Sequence, residues 1–199
     1  KGLIINSASQ LQQAGELIPL LEGMSEALES QDRKKITSAF DKHWSTLQID
    51  QHLGSIAFFN YEDKLLSTWG GNPVMEENST NLSKIIYNTT HHDQPGEIIV
   101  CIVSCQQYVA VPILIKSRTV GSILLSISLA QPIIRFYQMA NTDIGIIIPQ
   151  DTNTSLPLTG TRSLHKWHAT IAAMTHVNPL LPVLEKVSST TDFPSALQK

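Results

Sequence analysis

The chain has 199 residues, of which 42% are hydrophobic and 16% charged, with 14 basic against 17 acidic side chains and a net charge of −3. This balance excludes an intrinsically disordered chain, which would be charge-rich and poor in aliphatic residues, and it leaves no basic footprint for nucleic acid. No apolar run approaches the ~18–20 residues of a membrane helix, and a chain that starts at Lys1 without a signal peptide reads as an excised soluble piece.

Residues 4–47 read as helix. Ile4, Ala8, Leu11, Gly15, Ile18, Leu21, Ser25 and Leu28 step by three or four, which makes a heptad seam with polar residues on the other faces. Pro19 predicts a kink, because it removes a backbone donor and crowds the carbonyl of residue 15. The seam has two readings: an amphipathic helix packed on its own domain, or a dimer seam continuing from a membrane helix. The polar stretch that begins at Ser30 breaks the pattern. A second helical stretch over 35–47 carries Ile36, Ala39, Phe40, His43, Trp44 and Leu47 on one face.

From residue 54 the apolar period falls from 3.6 to 2, so residues 54–60 and 65–69 form a hairpin around a turn at 61–64. A short helix at 81–89 and a polar loop at 90–96 follow. Three strands come next, at 97–103, 107–115 and 121–128. Residues 129–140 return to helix, with Pro132 in the first turn, where its missing donor costs nothing. A nearly all-apolar strand at 143–149, a polar loop at 151–163, a strand at 167–175 and a helix at 178–188 complete the pattern. Strand–strand–helix thus occurs twice, and only the first copy gains three further strands.

Cys101 and Cys105 are the only cysteines. They admit a disulfide, two reduced thiols or part of a metal site. The spacing matches no common zinc pattern, and a disulfide requires a tight turn, since four residues of strand span ~13 Å against the ~5.5 Å a disulfide accepts. The isolation of the pair, in a chain rich in Ser, Thr, Asn and Gln, favours the disulfide. Phosphate-loop, nucleophile-elbow and zinc-helix motifs are absent. His91-His92-Asp93 reads as surface or as part of a metal site. His165, His168 and His176 read as exposed or capping residues, or as pH-responsive ones. No cofactor and no metal is expected.

The order of long helix, hairpin, helix and three-stranded meander resembles an extracytoplasmic Cache-type (PAS-like) sensor domain. The resemblance sharpens at Cys101-x-x-x-Cys105-x-x-Tyr108-x-Ala110-Val111-Pro112-Ile113-Leu114 and at Gly121-x-Ile-Leu-Leu-Ser-Ile-Ser-Leu129. Phe136, Thr142-Asp143-Ile-Gly145, Trp69-Gly70 and Leu164-x-x-Trp167 add to it. These are similar to the double-Cache region of bacterial histidine kinases, diguanylate cyclases and chemoreceptors. The resemblance implies an α+β fold: a long N-terminal helix, a five-stranded antiparallel PAS-like sheet and the start of a second, truncated PAS-like unit. The expected division is 1–50 for the helical segment, 51–140 for the membrane-distal domain with its connecting helix, and 141–199 for a partial membrane-proximal domain.

It further implies a periplasmic location in an inner-membrane protein, membrane contact only through helices outside this chain, and a cytoplasmic output module. The partners expected are an unidentified small-molecule ligand and a second copy joined through the N-terminal helix. A PAS-like sheet offers an apolar pocket with a few placed polar groups. Phe58, Trp69, Tyr87 and Tyr108 are the candidates to line it, Trp69 and Tyr108 foremost. As aromatics in or beside strands, all four also suit a core. Arg118 and Arg135 are candidates for an anionic ligand. The Tyr/Arg/Trp/Tyr/Asp signature of amino-acid-binding Cache receptors is not found, which removes support for an amino-acid ligand. A structural or adhesion module and a small hydrolase are the competing readings; the hydrolase lacks any recognisable nucleophile–base constellation.

Overall fold

A computed structural model describes residues 2–71, 79–101, 104–149 and 162–192. The chain divides into two compact units, Lys1–Val100 with Gln106–Ser128, and Cys101–Cys105 with Leu129–Lys199. The helical segment 1–50 is therefore part of the first unit, and the connecting helix belongs to the second.

In the first unit the long helix is three helices. α1 (Gly2–Leu17) ends in a 3-10 turn at Ile18–Leu20 that contains Pro19, and Leu21 leaves the helical region with ψ 149°. The kink expected at Pro19 is thus a full break. α2 (Met24–Ser30) closes on Gln31, whose φ is 55°. α3 (Arg33–Asp50) starts two residues before the expected 35 because Asp32 caps it: Asp32 Oδ1 accepts from the backbone N–H of Lys34 at 2.8 Å and of Lys35 at 3.3 Å.

The first sheet has the order β2-β1-β5-β4-β3, with β1 at Ser55–Asn60, β2 at Leu65–Trp69, β3 at Gly96–Cys101, β4 at Cys105–Ile115 and β5 at Arg118–Ser128. β4 and β5 join through Lys116 and Ser117, both at positive φ, the backbone of a two-residue hairpin whose twist matches its strands. Register decides the faces. Ile56, Leu125 and Val109 align across three strands, as do Phe58, Ile123 and Val111. All six lie in one buried cluster with Leu11, Ile18, Leu28, Ile36 and Phe40 from the helices. The seam read from the sequence therefore packs on the chain's own sheet, and it is not a surface open to a second copy. Ser25 drops out of it and is exposed, while Met24 and Ala27 are buried in its place after the break.

α4 (Ser79–His92) runs three residues beyond the expected end at 89. Its last turn is held from within: Thr90 Oγ1 donates to the Ile86 carbonyl at 2.9 Å, and the His91 ring stacks on Tyr87 at 4.2 Å. α4 packs on β5, and Thr90 Oγ1 lies 3.0 Å from Ser122 Oγ.

The second unit holds α5 (Ala130–Ala140), a three-stranded sheet in the order β6-β8-β7 and α6 (Val177–Thr190). Its strands are β6 (Gly145–Pro149), β7 (Arg162–Leu164) and β8 (Ala169–Met174). β7 lies at the end of the stretch expected as loop. The expected strand at 167–175 begins only at Ala169, because His165–Trp167 is a 3-10 turn closed by His168 at φ 45°. That turn sinks Trp167 into a core with Leu164, Ala169 and Ile171, where its indole N–H donates to the Thr191 carbonyl at 2.8 Å.

Candidate functional site

Of the four aromatic residues proposed to line one pocket, Phe58 and Trp69 meet on one face of the first sheet, and Tyr108 lies on the other. Phe58 is fully buried on the helix-covered face of the first sheet and forms edge contacts with Phe40 at 5.2 Å and Trp69 at 5.7 Å. Trp69 lies opposite Ile56, on that same face, 4.7 Å from Phe40, and its indole N–H donates to Asp41 Oδ1 at 2.7 Å. Phe58 belongs to the core and Trp69 packs against it, partly buried, both beside α3. Tyr87 is about half exposed and stacks on His91. Tyr108 alone turns to the other face of the sheet.

That other face has its own character. Register sets Tyr108 beside Ser126 and Ser126 beside Ser55 in one row. The next row is Ala110, Leu124 and Ala57, and the one after is Pro112, Ser122 and Phe59. Ser55 Oγ and Ser126 Oγ lie 2.7 Å apart. α4 adds Thr90 beside Ser122 and the buried Leu82 and Ile86. Serines and alanines thus share the α4 face with Tyr108, Leu124 and Phe59, whereas large apolar side chains alone fill the rows under α1–α3. Among the described residues, every buried polar side chain is neutral. This face can offer hydroxyl donors and acceptors and a phenol, but no buried counter-charge from the described residues. The small residues were visible in the sequence; their convergence follows only from the register.

The histidines and arginines sit elsewhere. His91 Nδ1 is 2.9 Å from the Tyr87 carbonyl and 3.9 Å from Asp63 Oδ2, and His92 Nδ1 is 3.2 Å from the Asn88 carbonyl. No group of three metal-ligating side chains occurs among the described residues. Arg118 is exposed at the start of β5, and Arg135 is partly exposed on α5. In the second unit Asp143 Oδ1 accepts from Thr175 Oγ1 at 2.7 Å and lies 2.6 Å from His176 Nδ1. The hydrogen bond from Thr175, then that from His176, holds the Asp143 carboxyl below its ordinary value. Cys101 and Cys105 are joined by a disulfide, with Cα atoms 3.9 Å apart. Surface grooves run between α2 and α3, lined by Glu22, Glu26, Lys35 and Lys42 among others, and between α1 and β3, lined by Ile5, Gln12 and Glu97 among others. None of the four aromatic candidates lines either groove.

A five-stranded antiparallel sheet covered by helices on one face, with a small-residue and hydroxyl face under a short helix on the other, is the frame of a PAS-like sensory module. The chain belongs to the double-Cache family described as the double sensory domain of two-component sensor kinase, whose model (dCache_3) matches residues 1–198. This family is sensory rather than catalytic. Among solved structures, the sensor domain of the V. cholerae histidine kinase DctB is similar at 11% identity and TM-score 0.51, over 75% of this chain and 58% of that one. A domain of a putative sensory box/GGDEF family protein from Vibrio parahaemolyticus is similar at 13% identity and TM-score 0.54, over 76% and 67%. The extracellular domain of the putative histidine kinase vpHK1S-Z8 is similar at 12% identity and TM-score 0.52, over 73% and 60%. The chain thus spans about three fifths to two thirds of the length of these domains, and at such identities they share its fold alone. No curated protein matches it. No helix among the described residues is long and apolar enough to cross a membrane.

Proposed function

We propose that this chain is the periplasmic ligand-sensing part of an inner-membrane receptor that drives a cytoplasmic histidine kinase, diguanylate cyclase or chemoreceptor module. The family match over residues 1–198 carries this reading. The ligand sits on the α4 face of the first sheet, against Tyr108, Ser126 and Ser55, and is a small, uncharged polar molecule. What supports its class is the neutral, hydroxyl-bearing face, together with the missing amino-acid signature. Tyr108 suits the role because its ring can stack on a ligand while its hydroxyl pairs with it. If the receptor dimerises through its N-terminal helix, it uses the outward side of that segment, where Ile5, Leu17 and Leu20 are exposed.

A thermal-shift screen of small metabolites, with uncharged polar compounds beside amino acids and carboxylates, tests this reading. A ligand at 100 times its Kd adds about 2.7 kcal/mol to the unfolding free energy. An uncharged compound is expected to raise the midpoint of the chain and to lose most of that effect in Tyr108→Phe. Shifts confined to carboxylates would overturn the ligand class.

A further inference from the structure

We infer that α1 is a detachable strap on the first sheet, held by a buried polar latch between Ser7 and Gln107. α1 buries little. Of its 16 residues only Ser7, Ala8, Leu11 and Gly15 are buried, and Leu11 is the one large apolar side chain among them. By contrast, α2 buries Met24, Ala27 and Leu28 within seven residues. An element with so few buried apolar contacts belongs to the low-stability end of a domain, where local opening precedes global unfolding.

Thin apolar burial gives the polar contact a large share of the docking. Gln107 of β4 is 1% exposed and Ser7 6%. The Ser7 hydroxyl contacts Gln107 Oε1 and lies 2.9 Å from the Ile4 carbonyl, and Gln107 Nε2 donates to that carbonyl at 3.0 Å. Opening α1 breaks this set, and removing one partner strands the other in the core. At the far end of the strap, Gly15 fits a notch. A Cβ there would come within 2.8 Å of Val111 Cγ2 and 3.0 Å of Leu125 Cδ1. The helix therefore seats in one place only, and the latch decides whether it is seated.

The latch is also placed to be worked from the other side of the sheet. Gln107 and Tyr108 are consecutive on β4, so their side chains point to opposite faces. A shift of β4 at Tyr108 moves Gln107 with it. This coupling rests on the proposed ligand face, and the latch itself does not.

Hydrogen exchange on the whole chain without ligand tests both parts. In the unaltered protein, α1 amides are expected to exchange faster than those of β1 and β5. Gln107→Leu should speed α1 exchange about tenfold further, the worth of one buried hydrogen-bonded contact, and leave β1 and β5 within about twofold. Ser7→Ala, a milder change, is read in the same way should Gln107→Leu fail to fold. Tyr108→Leu should also speed α1 exchange in the unaltered background but add little once Ser7→Ala is present, because coupled sites are not additive. Exchange of α1 at the rate of β5, or α1 rates unchanged by both latch variants, would overturn the strap. Additive effects of Tyr108→Leu and Ser7→Ala would overturn the coupling. No outcome depends on finding a ligand, so a failed ligand screen leaves this test intact.

Discussion

Phe58→Ala separates a core role from a ligand role at one position. Phe58 is fully buried and makes two edge contacts, with Phe40 at 5.2 Å and Trp69 at 5.7 Å. Truncating a buried Phe costs about 3–5 kcal/mol through lost transfer energy and the cavity left behind. Aromatic pairs contribute about 0.5–1.5 kcal/mol each beyond area burial, which places Phe58 at the upper end of that range. With a urea m-value of about 2 kcal/mol/M, a loss near 5 kcal/mol lowers the unfolding midpoint by about 2.5 M. Since a domain holds only about 5–15 kcal/mol, such a loss brings the first unit near its limit. Urea unfolding read by tryptophan fluorescence in a Trp167→Phe background reports Trp44 and Trp69, both in the first unit. Phe58→Leu should recover most of the midpoint. A Phe58→Ala protein with its midpoint moved by less than about 0.5 M, but with its ligand response lost, would refute the core assignment.

Leu11→Glu should weaken the docking of α1 by at least the ~2–5 kcal/mol of a lost core leucine, equally at every protein concentration, because Leu11 faces the chain's own sheet; Leu17→Glu, at a position 60% exposed, should leave stability within about 0.5 kcal/mol. Sedimentation and thermal melts of both variants distinguish this from a seam between subunits, for which Leu11→Glu would yield folded monomers. Thiol titration of the oxidised, denatured chain should find no reactive thiol, and reduction should cost about 2 kcal/mol, the chain-entropy value for so short a loop. Asp143 is held below its ordinary value in the folded chain, so its contribution is present above the unfolded pKa and is lost as pH falls through the folded one. Melts from pH 6 to below about 4 should show Asp143→Asn losing less stability on acidification than the unaltered protein; parallel pH profiles would contradict this.

Much of the frame was legible because period is a strong signal. The change from 3.6 to 2 at residue 54 marks the start of the sheet, and Pro19 and Ser30 mark where the helices break. Faces were not legible in the same way. β1 is buried throughout and β5 without a break from Gly121 to Ile127, so alternation cannot say which side meets α1–α3. Only the register, with Phe58 beside Ile123 and Tyr108 beside Ser126, puts Phe58 and Tyr108 on opposite sides. Residue type marks the aromatic candidates, and type does not carry direction. Thr90, His91 and His92 read as loop by composition, yet contacts back to Ile86, Tyr87 and Asn88 keep the helix going. Gln107 gave no signal in sequence, since a polar residue entering a strand is ordinary until a partner is found 100 positions away.

The site assignment meets its most direct test in a hydrogen-exchange footprint of the strongest compound from the thermal-shift screen, taken on the whole chain at saturation. Slowed exchange is expected in β1, in β4 around Tyr108 and in α4, with β6, β8 and α6 unchanged. Protection centred on β6, β8 or α6, or on the surface groove between α2 and α3, with β4 unaltered, would contradict it.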